Sequence, residues 1–203
     1  NEKTTIYPYK DDIERRIMEL DTIIPDDSKK PYSCHKVIEL LADENSIYEY
    51  QPYWARNIVC CFARVMGETV GFIANNTEVK AGCFDMDASD KFARFVDILD
   101  CYNIPMITLT DTPGFLPGKN QEHGGIIRHG AKTLEACYRA TIPKIQVVLR
   151  KNVGGACLPM GYNLFNLDVN LYWPTFDYGI MNPESACRII MKNKMKADPQ
   201  HAD

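Results

Sequence analysis

Met106-Ile107-Thr108-Leu109-Thr110-Asp111-Thr112-Pro113-Gly114-Phe115-Leu116-Pro117-Gly118 is the stretch that decides the fold of this chain. Its apolar start, Met106 to Leu109, predicts a short buried strand. The prolines and glycines after Asp111 predict a stiff turn with a defined shape. Ligands of α/β proteins collect where strands end in such turns, so the same stretch also marks a candidate site.

Helix and strand patterns alternate on both sides of this strand. The preceding helix opens at Ser89-Asp90, and the following helix leads through a Pro143 turn to the strand Ile145 to Leu149. The expected buried stripes are Phe92, Phe95, Val96 and Leu99 in the first helix, and Ile127, Ala131, Leu134 and Tyr138 in the second. Alternation of this kind predicts an α/β fold with parallel strands.

Further elements extend the pattern toward both ends of the chain. The apolar runs Ile58 to Ala63 and Val70 to Ala74, with the turn Met66-Gly67-Glu68 between them, predict a hairpin. Helices are expected from Asp11 to Leu20, from Tyr32 to Asp43 and from Pro183, with a strand from Val169 to Tyr172. We expect residues 1–30 to be a lead-in segment and residues 31–203 to form one domain.

Composition narrows the class of protein. The 203 residues are 45% hydrophobic and 25% charged, which is typical of a globular chain, and the net charge of -4 argues against a nucleic-acid partner. No apolar run reaches the ~18 residues of a membrane span, so we expect a soluble, unexported protein. Eight cysteines without a CxxC pair predict free thiols in a reducing compartment.

A second turn that is a candidate functional site is Arg150-Lys151-Asn152-Val153-Gly154-Gly155-Ala156. Its small residues let backbone N–H groups approach a ligand, as in oxyanion holes, although close packing of a helix on a sheet explains them equally well. The four histidines lack metal-ligand spacing and a nucleophile partner, so neither a metal site nor a hydrolytic triad is expected. Asp111 is interpreted as a structural turn residue.

Several motifs together resemble the biotin-dependent acyl-CoA carboxyltransferase family, in particular propionyl-CoA carboxylase beta subunits. They are the turn Asp111 to Gly118, the helix opening Gly124-Gly125-Ile126-Ile127-Arg128-His129-Gly130-Ala131-Lys132, Arg150-Lys151 and Gly154-Gly155-Ala156. The resemblance continues upstream through Trp54 to Val59, Phe62-Ala63-Arg64, Val70 to Asn75 and Ala88 to Lys91. It covers most of the chain, from Leu20 to Ile190.

The resemblance implies a crotonase-like fold of stacked ββα units, with this chain as the second, C-terminal domain of a carboxyltransferase and truncated at both ends. It implies an enzyme, a ligase or transferase, in which this domain accepts carboxybiotin from a carrier protein. Acyl-CoA would sit chiefly against the N-terminal domain of a neighbouring subunit. The implied partners are a biotin carboxyl carrier and biotin carboxylase subunit and a homo-oligomer, a hexamer by family, in the cytoplasm or the mitochondrial matrix.

The resemblance also implies residue roles. The backbone amides of Phe115 and Ala156 would stabilise the biotin oxyanion, so that no side-chain base is needed and no metal takes part. The biotin loops would be shaped by Gly114, Gly124, Gly125, Gly154 and Gly155. Leu158 stands at a position associated with acyl-chain choice, with a short acyl-CoA such as propionyl-CoA as the expected substrate.

Two interpretations remain beside this one. The chain could be the carboxyltransferase component of a transcarboxylase or a decarboxylase, which shares the biotin site and differs in substrate or acceptor. It could also be a non-catalytic scaffold subunit that keeps the fold. Asn182 and Ser185 stand where the family carries glycines, which predicts an altered backbone there.

Overall fold

A computed structural model describes residues 5–161, 167–174, 176–181 and 183–192. Its seven described strands form one sheet in the order β1-β2-β3-β4-β5-β6, with β7 paired to β5. The strands are β1 (Tyr48–Tyr50), β2 (Ile58–Val65), β3 (Glu68–Asn75), β4 (Met106–Thr112), β5 (Lys144–Val153), β6 (Val169–Tyr172) and β7 (Asp177–Gly179). The α-helices are α1 (Leu20–Ile23), α2 (Cys34–Leu41), α3 (Met86–Cys101), α4 (Lys119–Gly124), α5 (Ile126–Arg139), α6 (Cys157–Gly161) and α7 (Pro183–Ile190).

The pairing of neighbouring strands changes from antiparallel to parallel at β3. β1, β2 and β3 pair antiparallel, and β3, β4, β5 and β6 pair parallel, as the alternation of helices and strands predicted. The predicted hairpin is confirmed, and its turn places Met66 and Gly67 at φ 53° and 78°. Both values match a two-residue hairpin turn, which needs left-handed backbone at its two central positions.

The sheet is covered on both faces, which explains the nearly continuous apolar runs of β2 and β3. One face packs against α3 and α5 around Phe92, Phe95 and Leu99. The other face packs against α2 around Val37 and Ile38 and extends to Leu149 of β5. No described helix is long and apolar enough to cross a membrane.

The predicted helix from Asp11 to Leu20 is wrong. In its place the chain makes isolated turns, and α1 begins only at Leu20. The Asp12 carboxylate accepts the Glu14 N–H at 3.0 Å, a local bond that competes with helical bonding. Ile13 stays exposed, so no buried face holds a helix together here.

The start of α3 also differs from the expectation. The helix begins at Met86 with Asp85 as its N-cap, whose Oδ1 accepts the Ala88 N–H at 2.9 Å. Ser89 and Asp90, predicted as the cap, lie in the first turns of the helix, where the Ser89 hydroxyl donates to the Asp85 carbonyl. The predicted stripe from Phe92 to Leu99 is confirmed, since all four of its residues are buried.

The prediction of which residues of α5 are buried is wrong. Ile127 and Tyr138 are 80% and 66% exposed. The buried face instead consists of Ile126, Gly130, Thr133, Ala136 and Cys137. Small residues on this face let α5 lie close to α3, so side-chain volume rather than apolar character selects the inner face.

The cysteines behave as small apolar residues. Six of the eight are buried or half-buried, and none forms a disulfide. Burial raises the pKa of the Cys34 and Cys137 thiols to about 12, so both stay protonated at neutral pH.

Candidate active site

The two glycine-containing turns lie side by side at one edge of the sheet. They follow the adjacent parallel strands β4 and β5, whose carboxyl ends therefore meet. A Cβ added to Gly154 would lie 3.4 Å from Gly114 Cα, and one added to Gly155 would lie 3.5 Å from the Phe115 ring. A Cβ at either glycine would thus already stand in van der Waals contact with the other turn.

Phe115 is fixed from both its backbone and its ring. The Phe84 N–H donates to the Gly114 carbonyl at 3.1 Å, and the Leu116 N–H donates to the Phe84 carbonyl at 2.7 Å. The Phe115 ring lies edge-on to that of Phe84, with centroids 6.0 Å apart. Among the described residues, no acceptor lies within hydrogen-bonding distance of the Phe115 N–H, so this held amide is free to donate.

Ala156 is the last residue of the second turn, immediately before α6. Gly154 has φ +68° and donates its N–H to the Gly179 carbonyl at 2.9 Å, which ties the turn to β7. The Cys157 N–H donates to the Gly154 carbonyl, and the Leu158 N–H donates to the Gly155 carbonyl, both at 3.3 Å. Ala156 itself is fully buried, and its N–H meets no acceptor in the described part of the chain.

A buried backbone N–H without a partner is rare and costs free energy comparable to a lost hydrogen bond. The Ala156 amide and, in the neighbouring turn, the Phe115 amide have no acceptor among the described residues, and they are therefore the strongest sign of a site. Two fixed N–H groups in neighbouring turns can stabilise an oxygen that gains negative charge.

A charged pair lies beneath the two turns. Between Thr110 and Thr112 the β4–β5 register shifts, and the Asp111 carboxylate stands at the irregularity. Its Oδ2 lies 3.0 Å from Arg150 Nε, and its Oδ1 accepts the Lys151 N–H at 3.2 Å. Asn75 Oδ1 accepts the Asp111 N–H at 3.1 Å. Side chains thus replace ladder hydrogen bonds where the strands diverge.

Arg150 also holds the lead-in segment. Its Nη1 donates to the carbonyl oxygens of Pro25, Asp27 and Lys30 at 3.2, 2.8 and 3.1 Å. The guanidinium also lies 5.2 Å from the centroid of the Tyr32 ring. The division of the chain at residue 30 stays a prediction, but these contacts pack that segment directly against the base of the site.

The other candidate residues lie in different surroundings. A Cβ on Gly124 would lie 2.2 Å from Met86 Sδ, and Gly125, at φ +89°, joins α4 to α5, so both shape a helix junction. Leu158 is half-buried in α6. Asn182 lies outside the described residues, and of Ser185 only the backbone, within α7, is described.

Of the described histidines, His129 pairs with an acidic residue of α3. His129 Nδ1 lies 2.9 Å from Asp90 Oδ1, which also binds Lys132 Nζ at 2.7 Å, so this ring links α5 to α3. His123 lies in α4. In the described part of the chain, no group of three or more His, Cys, Asp or Glu side chains could hold a metal ion.

Arg150 and Asn75 are the residues whose roles the sequence did not predict. A basic residue at the end of a buried strand was a usable signal for Arg150, because such a charge needs a buried partner. Asn75 ends β3 and gave no signal of its own.

Comparison with known proteins identifies relatives over nearly all of the chain. The family model described as carboxyl transferase domain matches residues 1–203. The chain is 45% identical over 195 residues to methylmalonyl-CoA decarboxylase subunit alpha of Propionigenium modestum, covering 96% of this chain and 38% of that protein. It is 44% identical over 193 residues to the mitochondrial propionyl-CoA carboxylase beta chain of Homo sapiens, covering 95% and 36%. The chain therefore spans under two-fifths of these relatives.

Solved structures agree with the predicted fold class. Transcarboxylase 12S, determined as a hexamer with methylmalonyl-coenzyme A and methylmalonic acid bound, superposes with a TM-score of 0.92 at 43% identity and covers 97% of this chain and 38% of that one. The geranyl-CoA carboxylase beta subunit of P. aeruginosa has a TM-score of 0.84 at 24% identity, over 96% and 37%, and supports the fold alone. The α/β, crotonase-like fold class is confirmed.

Proposed function

This chain belongs to the carboxyl transferase domain family, and from that premise we propose that it forms the carboxybiotin-accepting half of an acyl-CoA carboxyltransferase site. One observation carries the proposal: the amides of Phe115 and Ala156 lie in adjoining turns, fixed by the surrounding bonds and without acceptors among the described residues. A site built for a carbonyl oxygen needs donors of this kind.

The two amides would hold the urea carbonyl of biotin. When bound, carboxybiotin would supply the carboxyl group, and its urea oxygen would need hydrogen-bond donors during the transfer. The Phe115 and Ala156 N–H groups donate to this oxygen and need no reorientation, since the turns already fix them. Asp111 and Arg150 hold the turns from below, and Gly114, Gly154 and Gly155 keep the approach free of side chains.

The relatives support a proposal for the acyl substrate and the partners. Transcarboxylase 12S binds methylmalonyl-coenzyme A and is a hexamer. By analogy, this domain would transfer carboxyl to the α-carbon of a short acyl-CoA such as propionyl-CoA, with Leu158 beside the acyl chain. A biotin carrier and an N-terminal carboxyltransferase domain of the same or a neighbouring subunit would complete the site in an oligomer. The bacterial and mitochondrial relatives favour the cytoplasm or the mitochondrial matrix.

A second candidate is the carboxyltransferase component of a decarboxylase. The 45% identity to a methylmalonyl-CoA decarboxylase subunit is as high as that to the carboxylase beta chains. In that reaction biotin would take the carboxyl group from methylmalonyl-CoA while the same amide pair would donate to its urea oxygen, so the site is shared and the direction of transfer differs.

The direct experiment joins the chain with an N-terminal carboxyltransferase domain and follows carboxyl transfer from methylmalonyl-CoA to free biotin. We expect turnover from the wild type, near-complete loss in Ala156→Pro, which deletes one amide donor, and little change in His129→Ala. Turnover near the wild-type rate in the proline variant would overturn the proposal. Binding of both substrates without turnover would favour a scaffold subunit.

A further inference from the structure

Asn57 lies in a stretch that matches the family pattern, Trp54 to Val59, yet it stands outside the two turns of the proposed site. It is 1% exposed and immediately precedes β2. Its backbone carbonyl accepts the Asn76 N–H at 3.0 Å, which ties it to the end of β3. A buried amide side chain needs hydrogen-bond partners, so the contacts of this side chain show what it holds.

The Asn57 side chain holds the two residues on either side of Phe84. Its Nδ2 donates to the Cys83 carbonyl at 2.7 Å and to Asp85 Oδ1 at 3.2 Å. Asp85 is also the N-cap of α3, so its own position is set by the start of that helix. One buried amide therefore fixes the backbone of residues 83–85 against both β2 and α3.

Phe84 in turn holds the Phe115 turn. Its N–H donates to the Gly114 carbonyl at 3.1 Å, and its carbonyl accepts the Leu116 N–H at 2.7 Å. Phe84 and Phe115 thereby form an isolated parallel bridge. Because both polar backbone groups of Phe84 bond to the turn, the hydrogen bonds that tie this segment to the rest of the protein are made by its neighbours in the sequence.

We propose that Asn57 is a positioning residue for the Phe115 amide, an inference that rests on the proposed carboxyltransferase function. Asn57 acts through Phe84: it holds the segment around Phe84, and Phe84 holds the turn that aims the Phe115 N–H. The Ala156 turn is held separately, by the bond from the Gly154 N–H to β7. Loss of the Asn57 side chain should therefore misplace one amide of the pair and spare the other.

The first test compares two buried asparagines in the chain assembled with an N-terminal carboxyltransferase domain. We expect Asn57→Ala to lower kcat for carboxyl transfer from methylmalonyl-CoA to biotin at least about tenfold, because small misplacements of a catalytic donor are costly. KM for methylmalonyl-CoA should stay unchanged, since the Phe115 amide serves the biotin oxygen. Asn76→Ala is the matched control: Asn76 is 4% exposed, and its Nδ2 donates to the Arg56 carbonyl at 3.0 Å instead of to residues 83–85. Its kcat should equal that of the wild type.

A cycle with backbone esters separates positioning from a general loss of structure. An ester at Phe115 or at Ala156 deletes that N–H. In the Phe115 ester, adding Asn57→Ala should lower kcat by less than about twofold more, because the amide that Asn57 positions is already gone. In the Ala156 ester, the same substitution should lower kcat by its full factor. Full additional loss in the Phe115 ester would overturn the inference and leave the proposed function standing. A Phe115 ester with the wild-type rate would overturn both.

Amide hydrogen exchange tests the same contacts without turnover. The reporter is the Leu116 N–H, which bonds to Phe84, and its exchange should accelerate about threefold or more in Asn57→Ala and stay unchanged in Asn76→Ala. Lys80→Met is a second variant, because Lys80 binds the other oxygen of Asp85 and its side chain is 47% exposed, so the chain should still fold. Exchange at Leu116 should also accelerate there, by a smaller factor. Wild-type exchange at Leu116 in both variants would contradict the inference.

Discussion

Asp111 Oδ2 lies 3.0 Å from Arg150 Nε, and the two side chains are 0% and 3% exposed. This pair joins β4 to β5 at the point where their register shifts, immediately before the turns that carry the Phe115 and Ala156 amides. A charge taken out of water needs a partner with good geometry, so each residue of the pair depends on the other. The positions of both turns depend on this contact.

Substitution of one partner should therefore be costly. In Arg150→Met, Asp111 stays buried with only the Lys151 ammonium, 3.7 Å from its Oδ1, as a cationic partner, and we expect the free energy of unfolding to fall by about 3–5 kcal/mol in urea titration. Asp111→Asn should lower the free energy of unfolding by a similar amount. In the double variant, the fall in the free energy of unfolding should be smaller than the sum of the falls in the two single variants by about 1–3 kcal/mol, because the residues are directly coupled.

The exposed pair of Arg139 and Asp97 is the matched control for that cycle. Its atoms are 2.7 Å apart, but both side chains are more than half exposed, so the same cycle should give a coupling below about 1 kcal/mol. Equal couplings for the buried and exposed pairs would contradict the role assigned to Asp111 and Arg150.

Gly130 leaves room for the Phe115 ring. A Cβ at this position would lie 2.9 Å from Phe115 Cζ, so Gly130→Ala should displace the ring and the amide behind it. We expect kcat for carboxyl transfer to fall at least about tenfold, since small misplacements of catalytic donors are costly. Adding Phe115→Leu, which removes the clashing ring atoms and keeps the amide, should recover most of the lost rate. No recovery would show that the ring does not position the amide.

Asp85 makes the stability of the fold depend on pH. Burial alone would raise the pKa of this carboxyl, but hydrogen bonds from Lys80, from the Ala88 N–H and from Asn57 outweigh burial and hold it below its ordinary value. A depressed pKa stabilises the fold above the unfolded value, about 3.9, and this stabilisation is lost as pH falls through the folded value. Unfolding free energies measured from pH 7 downward should thus drop more steeply for wild type than for Asp85→Asn. Asp87→Asn, exposed in the same helical turn, should follow the wild-type slope.

Lys91 holds a loop from inside the protein. The residue is fully buried, and its Nζ donates to the carbonyl oxygens of Gln51, Trp54 and Ile58 at 3.1, 3.0 and 2.9 Å. Lys91→Met would leave three carbonyls without this donor, and we expect a loss of about 2–4 kcal/mol of stability. Hydrogen exchange should accelerate in residues 51–58. Lys36→Met on the exposed side of α2 should leave both measurements unchanged.

The hairpin of β2 and β3 and the parallel pairing of the later strands were accessible from sequence because period and alternation report burial directly. The runs of β2 and β3 and the strand before Asp111 are apolar since the sheet is covered on both faces. The inner face of α5 was not accessible, because Gly130 and Ala136 are chosen for closeness to α3, and apolar spacing favoured the exposed Ile127 and Tyr138 instead. Apolar spacing in the lead-in segment likewise predicted a helix, which the turn at Asp12 overrides.

For the site, sequence pointed to the turns but not to what holds them. Glycine and proline content located Gly114, Gly154 and their neighbours, and the family resemblance supplied the roles of the Phe115 and Ala156 amides. The bonds between Asp111 and Arg150, and from Arg150 to the lead-in carbonyls, join residues up to 125 positions apart. Such pairings depend on the folded register of β4 and β5, which no local pattern encodes.

The most direct measurement replaces the Phe115 and Ala156 amides one at a time by esters, which deletes the N–H and keeps every side chain. In the assembled enzyme, each ester should lower kcat for carboxyl transfer about a hundred- to a thousandfold, with little change in the free energy of unfolding, because neither N–H bonds to a described residue. A rate within about threefold of wild type for both esters would contradict the account, since an amide pair that holds the biotin oxygen cannot be removed without cost.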